Sequence, residues 1–166
     1  MDKRGAYFFV IDAFIGGAIV LISLIVVINS FTSTQDRTHP ILILEDFVTY
    51  MSNTQVRDFQ GTYMEQLIQQ GKITNLRHTL LEQIGELHYY GNNTEAGLFI
   101  DEISDATLPE QMSFRYFYGN DMLHERAIYP YNKANLVLSS KKVSMVTINK
   151  SKIHGPHLAE VILWTS

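Results

Sequence analysis

Cysteine is missing from all 166 positions, so disulfides contribute nothing to stability and the fold rests on a packed core. Basic charge is also short. Thirteen Lys+Arg stand against seventeen Asp+Glu, a formal net charge of −4. The excess of cations that neutralises phosphates is lacking, and nucleic acid is not an expected partner. The chain has no nucleophile elbow of the G-x-S-x-G type, phosphate loop, dinucleotide fingerprint or H-E-x-x-H helix. No catalytic, cofactor-binding or metal site is therefore assigned, and the expected protein is not an enzyme. The length allows one modest domain plus an appendage.

What is present in excess is apolar residues near the start. Between Ala6 and Phe31 the only charge is Asp12, and Ala13–Ile28 carries none. As a helix, the segment reaches about 39 Å, against a hydrocarbon core of about 30 Å, which predicts a membrane-spanning helix over 6–31. Lys3 and Arg4 precede it, while Asp36, Arg37 and Asp46 follow. The positive-inside bias places the first residues in the cytoplasm and everything after residue 31 outside the cell, in a single-pass membrane protein. The competing reading, a cleaved secretory signal, fits less well, because Asn29-Ser30-Phe31-Thr32-Ser33 has no small-x-small cleavage pattern.

Lys3-Arg4-Gly5-Ala6-Tyr7, set directly before the apolar run, resembles the class III signal of archaeal type IV pilins and pilin-like proteins. The resemblance implies a prepilin peptidase-like protease that cuts after Gly5. Residues 1–5 are then a leader, Ala6 is the new N-terminus, and the helix is both anchor and filament core. The closing run Gly155–Trp164 also looks like the end of pilin-like surface proteins from archaea. Bacterial-type pilins carry glutamate at the fifth mature position, where this chain has Val10. That departure draws attention to Asp12. It either reaches the interface, favoured by the positive end of the helix dipole, or pairs with a neighbour's Ala6 amine and sets register. Ala13, Gly16 and Gly17 form a small-residue patch with small-xxx-small spacing, expected to support helix packing.

Residues 32–39 are polar and read as a stalk, and 40–166 as an extracytoplasmic head. Leu44, Phe47, Val48 and Met51 recur at helical spacing and predict a helix over Pro40–Asn53. Tyr63, Leu67 and Ile68 predict a second, closed by Gly71. Leu76, Leu80, Ile84 and Leu87 predict a third, and a fourth starts at Thr94 and ends near Pro109. After Pro109, Phe114–Tyr118 and Met122–Tyr129 flank a Gly119-Asn120-Asp121 turn, as in a hairpin. Leu136–Leu138, Val143–Ile148 and Leu158–Trp164 supply further strands, with Gly155-Pro156 as punctuation. The expected class is α+β: a long N-terminal transmembrane helix, then several helices and a C-terminal antiparallel sheet.

The chemical candidates are few. His154 and His157 read as loop residues for want of a third ligand. His78, Glu82 and Glu86 read as the solvated side of an amphipathic helix, and Asp101, Glu102, Asp105 and Glu110 as a charged helix end. Most of the aromatic set from Tyr89 to Tyr131 reads as core. Asn92 and Asn149 are sequon acceptors in predicted turns and possible glycosylation sites. The expected function is a pilin or minor pseudopilin-like structural subunit, forming homo- or hetero-oligomers through the N-terminal helix in a membrane-anchored filament or surface assembly. The alternative is a single-span membrane protein with an interaction or sensing domain that never polymerises. A membrane-tethered enzyme is a distant third.

Overall fold

The computed structural model describes residues 13–27, 40–148 and 152–166. The chain divides between Thr38 and His39 into two units, each taken by itself below.

In the first unit residues 13–27 form helix α1, and every one of them is exposed. Among the described residues no helix is long and apolar enough to cross a membrane. This corrects the expected transmembrane helix over 6–31. The assignments built on it fall too: single-pass placement in the cell membrane, a cytoplasmic N-terminus and an extracytoplasmic head. The leader at 1–5 and the stalk at 32–39 lie outside the described residues.

The second unit is α+β. Helices α2 (Pro40–Asn53), α3 (Thr62–Gln69), α4 (Leu80–Tyr89) and α5 (Asn93–Thr107) precede strands β1 (Ser113–Tyr118), β2 (Asp121–Arg126), β3 (Leu136–Ile148) and β4 (Lys152–Thr165). The strands make one antiparallel sheet in the order β2-β1-β4-β3. Alternation sends Phe114, Tyr116 and Tyr118 of β1 and Ala159, Val161 and Leu163 of β4 into the core shared with the helices. From the helices come Leu44, Phe47, Val48 and Met51 of α2, Ile84 and Leu87 of α4, and Phe99 and Ile103 of α5.

Local signals account for most boundaries. Thr79 and Glu82 form a reciprocal capping box at the start of α4, which excludes Leu76 from that helix. Gly71 ends α3 at φ +69° and Gly119 turns the β1–β2 hairpin at φ +62°. α5 starts at Asn93, with Asn92 rather than Thr94 at its N-cap.

The C-terminal strands differ from expectation. Leu136–Leu138 and Val143–Ile148 belong to one thirteen-residue strand, and Gly155-Pro156 lies inside β4 instead of before it. A bulge between Ser144 and Val146 lets β4 pass through the glycine. Gly155 sits at φ +118°, and a Cβ there would come within 2.8 Å of the Ser144 carbonyl oxygen. Trp164 is fully buried under the 127–135 loop, its Nε1–H donating to Tyr129 O at 2.7 Å with the Arg115 guanidinium 5.2 Å from its ring.

Candidate functional site

Lys3, Arg4, Gly5, Ala6, Asp12 and Asn149 lie outside the described residues. Ala13, Gly16 and Gly17 lie on α1. A Cβ built on Gly16 or Gly17 meets nothing within 4 Å, so no packing among the described residues requires glycine at either position. Around them α1 displays ten large apolar side chains, from Phe14 at 81% exposure to Val27 at 51%. Asn92 is half-buried at the start of α5.

The acidic and histidine candidates of the helices turn out to be structural. His78 and Glu86 are not on a solvated face: they are 7% and 5% exposed, with His78 Nδ1 3.2 Å from Glu86 Oε2. His78 sits just before α4 because the 76–78 segment runs beside 56–57, donated to at the Leu76 and His78 carbonyls by Arg57 and Val56 N–H. The bond to Glu86 raises the imidazole pKa above its ordinary value, partly offset by burial. Glu82 belongs to the capping box. Glu102 reaches across from α5 to the N-terminus of α3, accepting from Tyr63 N–H at 2.6 Å and Met64 N–H at 2.9 Å. Arg126 donates to Asp105 at 2.8 Å, and His124 Nε2 lies 3.1 Å from Asp101 Oδ1. Three of the four acidic groups are thus occupied by protein partners.

The C-terminal histidines are brought to a cluster that sequence spacing did not reveal. His154 and His157 lie on β4 with ring centroids 4.3 Å apart. His88, in the last turn of α4, supplies a third ring, 6.5 Å from that of His157. Tyr118 of β1 packs between them, 5.1 Å from His88 and 5.2 Å from His157, and its hydroxyl donates to Ser144 Oγ at 3.3 Å. At the far side Tyr89 meets His154 at 4.7 Å and accepts a hydrogen bond from Lys152 Nζ at 2.8 Å. His88 Nε2 lies 2.9 Å from Asp121 Oδ2, whereas His88 Nδ1 and His154 Nε2 are buried without a hydrogen-bond partner. Burial, then the neighbouring His157, His88 and Lys152, lower the His154 pKa. Burial raises that of Tyr118. The one clue in the sequence was the placement of His88 in a last helical turn, thirty residues before Tyr118.

Among the described residues no three His, Cys, Asp or Glu side chains are placed to hold a metal ion. An open groove of the head, about 370 Å³, runs between Ser52, Thr79, Glu82, Lys142 and Met145, without a histidine beside a nucleophile. The outer face of the sheet carries exposed apolar side chains, Val143 paired with Leu158, Ile153 opposite Thr147, and Met122 opposite the half-buried Phe117.

No protein-family model matches the chain, and no curated protein or solved structure is significantly similar to it. The type IV pilus and cell-surface filament assignments therefore gain no support from relatives, and with the transmembrane helix corrected they are withdrawn as descriptions of where the protein resides.

Proposed function

We propose that the chain is a structural subunit that associates with copies of itself or with similar chains through α1, with the α+β head as the part displayed. The observation that carries this reading is the exposure of all fifteen residues of α1, ten of them large and apolar. Water around a rod apolar on every side is unfavourable, and burying each such side chain is worth about 1.5–3 kcal/mol. Several neighbouring helices of the same composition, packed around it in a bundle, cover that surface on all sides, which one face of a globular domain cannot do. Ala13, Gly16 and Gly17 fit the role, since small side chains let helix backbones approach closely. The pilin-like start of the chain points the same way, toward helices as the common core of an assembly.

The test is sedimentation of the full chain beside a full-length Ile19→Asp, Ile22→Asp variant. Wild type is expected to sediment as oligomers, and the variant, whose α1 presents two charges on one face, as monomer with an unchanged head. A wild-type chain that stays monomeric at high concentration overturns the reading. It would favour the second one, a non-polymerising interaction domain, for which the exposed apolar side chains on the outer sheet face speak.

A further inference from the structure

We infer that the histidine cluster where α4, β1 and β4 meet is a proton-operated latch, closed when its imidazoles are neutral and loosening the β3–β4 hairpin from the end of α4 when they are charged. This inference is independent of how α1 associates.

The closed geometry lacks an acceptor at one nitrogen of His88 and one of His154. An imidazolium carries two N–H donors and needs two acceptors. His88 has one acceptor, Asp121, and its Nδ1 is buried facing none; the Nε2 of His154 is likewise buried without a partner. Protonating either histidine in the closed arrangement creates a charged donor with nothing to accept it, which a protein interior penalises more heavily than a neutral orphan.

The charges around the cluster act in the same direction. From α4 come His88 and Tyr89, and from β1 comes Tyr118. β2 contributes Asp121, and β4 contributes Lys152, His154 and His157. At the β3 positions paired with the two strand histidines stand Ser144 and Val146, neither of which carries charge. Fully protonated, the site holds four cations against one carboxylate, itself largely exposed to water. Two imidazolium rings whose centroids are 4.3 Å apart repel, and they do so more strongly in a partly dry site than in solution. The depressed pKa of His154 follows from the same burial and the same cationic neighbours.

A metal ion is the competing ligand for three clustered histidines, but the three side chains are not placed to share one. A proton needs no such convergence. The response is expected to be local, because the cluster joins β4 to only two other elements by side-chain packing while Val161 and Leu163 stay anchored in the core.

Amide hydrogen exchange of the full chain between pH 7.5 and 5.5, corrected for intrinsic rates, tests this. Protection across Lys152–Leu158 is expected to fall about tenfold or more on acidification, while that of α5 holds. His154→Gln is expected to flatten the response. Asp121→Asn, at an exposed position, is expected to move it to higher pH, since the one compensating carboxylate is gone. These opposite directions separate a titrating latch from simple packing, and Asp121→Asn decides the matter if His154→Gln does not fold. Wild-type protection that is constant over the pH range, or a response that neither variant changes, overturns the inference. So does slowed exchange on adding zinc ions at pH 7.5, which would make the cluster a metal site.

Discussion

Three histidines in the head are perturbed, His78 upward and His124 and His154 downward, and the pH dependence of stability follows from the signs. His78, bonded to Glu86 in a buried pair, has a folded-state pKa above its ordinary 6.5. Its contribution is complete below pH 6.5 and is lost as pH rises through the folded value. His124 and His154 have folded-state pKa values below 6.5, lowered first by burial, so their contributions are present above pH 6.5 and are lost as pH falls. As far as these three groups set it, stability of the head is therefore expected to be greatest near pH 6.5 and to fall on either side. Urea unfolding at pH 6.5, 7.5 and 8.5 checks the alkaline limb, on which Glu86→Gln should show a smaller loss than wild type. A second residue-scale prediction concerns Gln83, fully buried in α4 with neither amide atom hydrogen-bonded. Gln83→Leu keeps most of the volume and removes the unsatisfied dipole, and is expected to stabilise the head by about 1–3 kcal/mol, read as a raised thermal midpoint. A lowered midpoint would show that the amide has a partner that the protein atoms do not supply.

At the scale of elements, the helices differ in how their ends are held. α4 carries its own start signal, and Thr79→Ala should cost about 0.5–2 kcal/mol by chemical denaturation. The start of α3 is held from elsewhere in the chain. Gly61, at its N-cap, has no side chain to offer, and the two free N–H groups of Tyr63 and Met64 are taken by Glu102 of α5, thirty-nine and thirty-eight residues away. A Cβ on Gly61 would collide with that carboxylate, so the glycine and the glutamate form one device. Glu102→Ala is expected to destabilise by about 1.5–3 kcal/mol, the range for hydrogen bonds to a charged group, and hydrogen exchange should localise the loss to α3. The same distinction explains what periodicity conveyed. α2 matches its apolar spacing residue for residue, because its signal is local. The acidic run of α5 looked like a solvated end, because its partners, Arg126, His124 and the start of α3, lie far off in sequence. The long strands β3 and β4 were fragmented in the sequence by Lys141-Lys142 and Gly155-Pro156. On an edge strand such lysines are an ordinary protection against further pairing, and the glycine serves a bulge.

At the scale of the whole molecule, the two units answer to different physics. The head buries its aromatic strand β1 and helices α2, α4 and α5 in one core, while α1 leaves its apolar side chains exposed. Gly17 marks the difference. Because nothing among the described residues lies within 4 Å of a Cβ built there, Gly17→Leu is expected to leave the thermal midpoint of the head unchanged while weakening self-association, measured as a rise in the dissociation constant by sedimentation equilibrium. Association that is unaffected would place the helix contact on another face.

Patterns that repeat within a few residues of each other were settled by the sequence alone: the apolar run at 13–27, the amphipathic helices, the β1–β2 hairpin, and an acidic chain with no disulfide. Their causes are backbone geometry and hydrophobic spacing, which act locally. Only the tertiary structure decided that His88 joins His154 and His157, that Glu102 holds α3, and that His78 is buried against Glu86. Each of those pairings depends on how the chain folds back on itself, and no spacing along it encodes that distance. That no helix among the described residues is long and apolar enough to cross a membrane was likewise a finding of the structure, since a run of greasy residues specifies preference for an apolar setting but not which surface provides it.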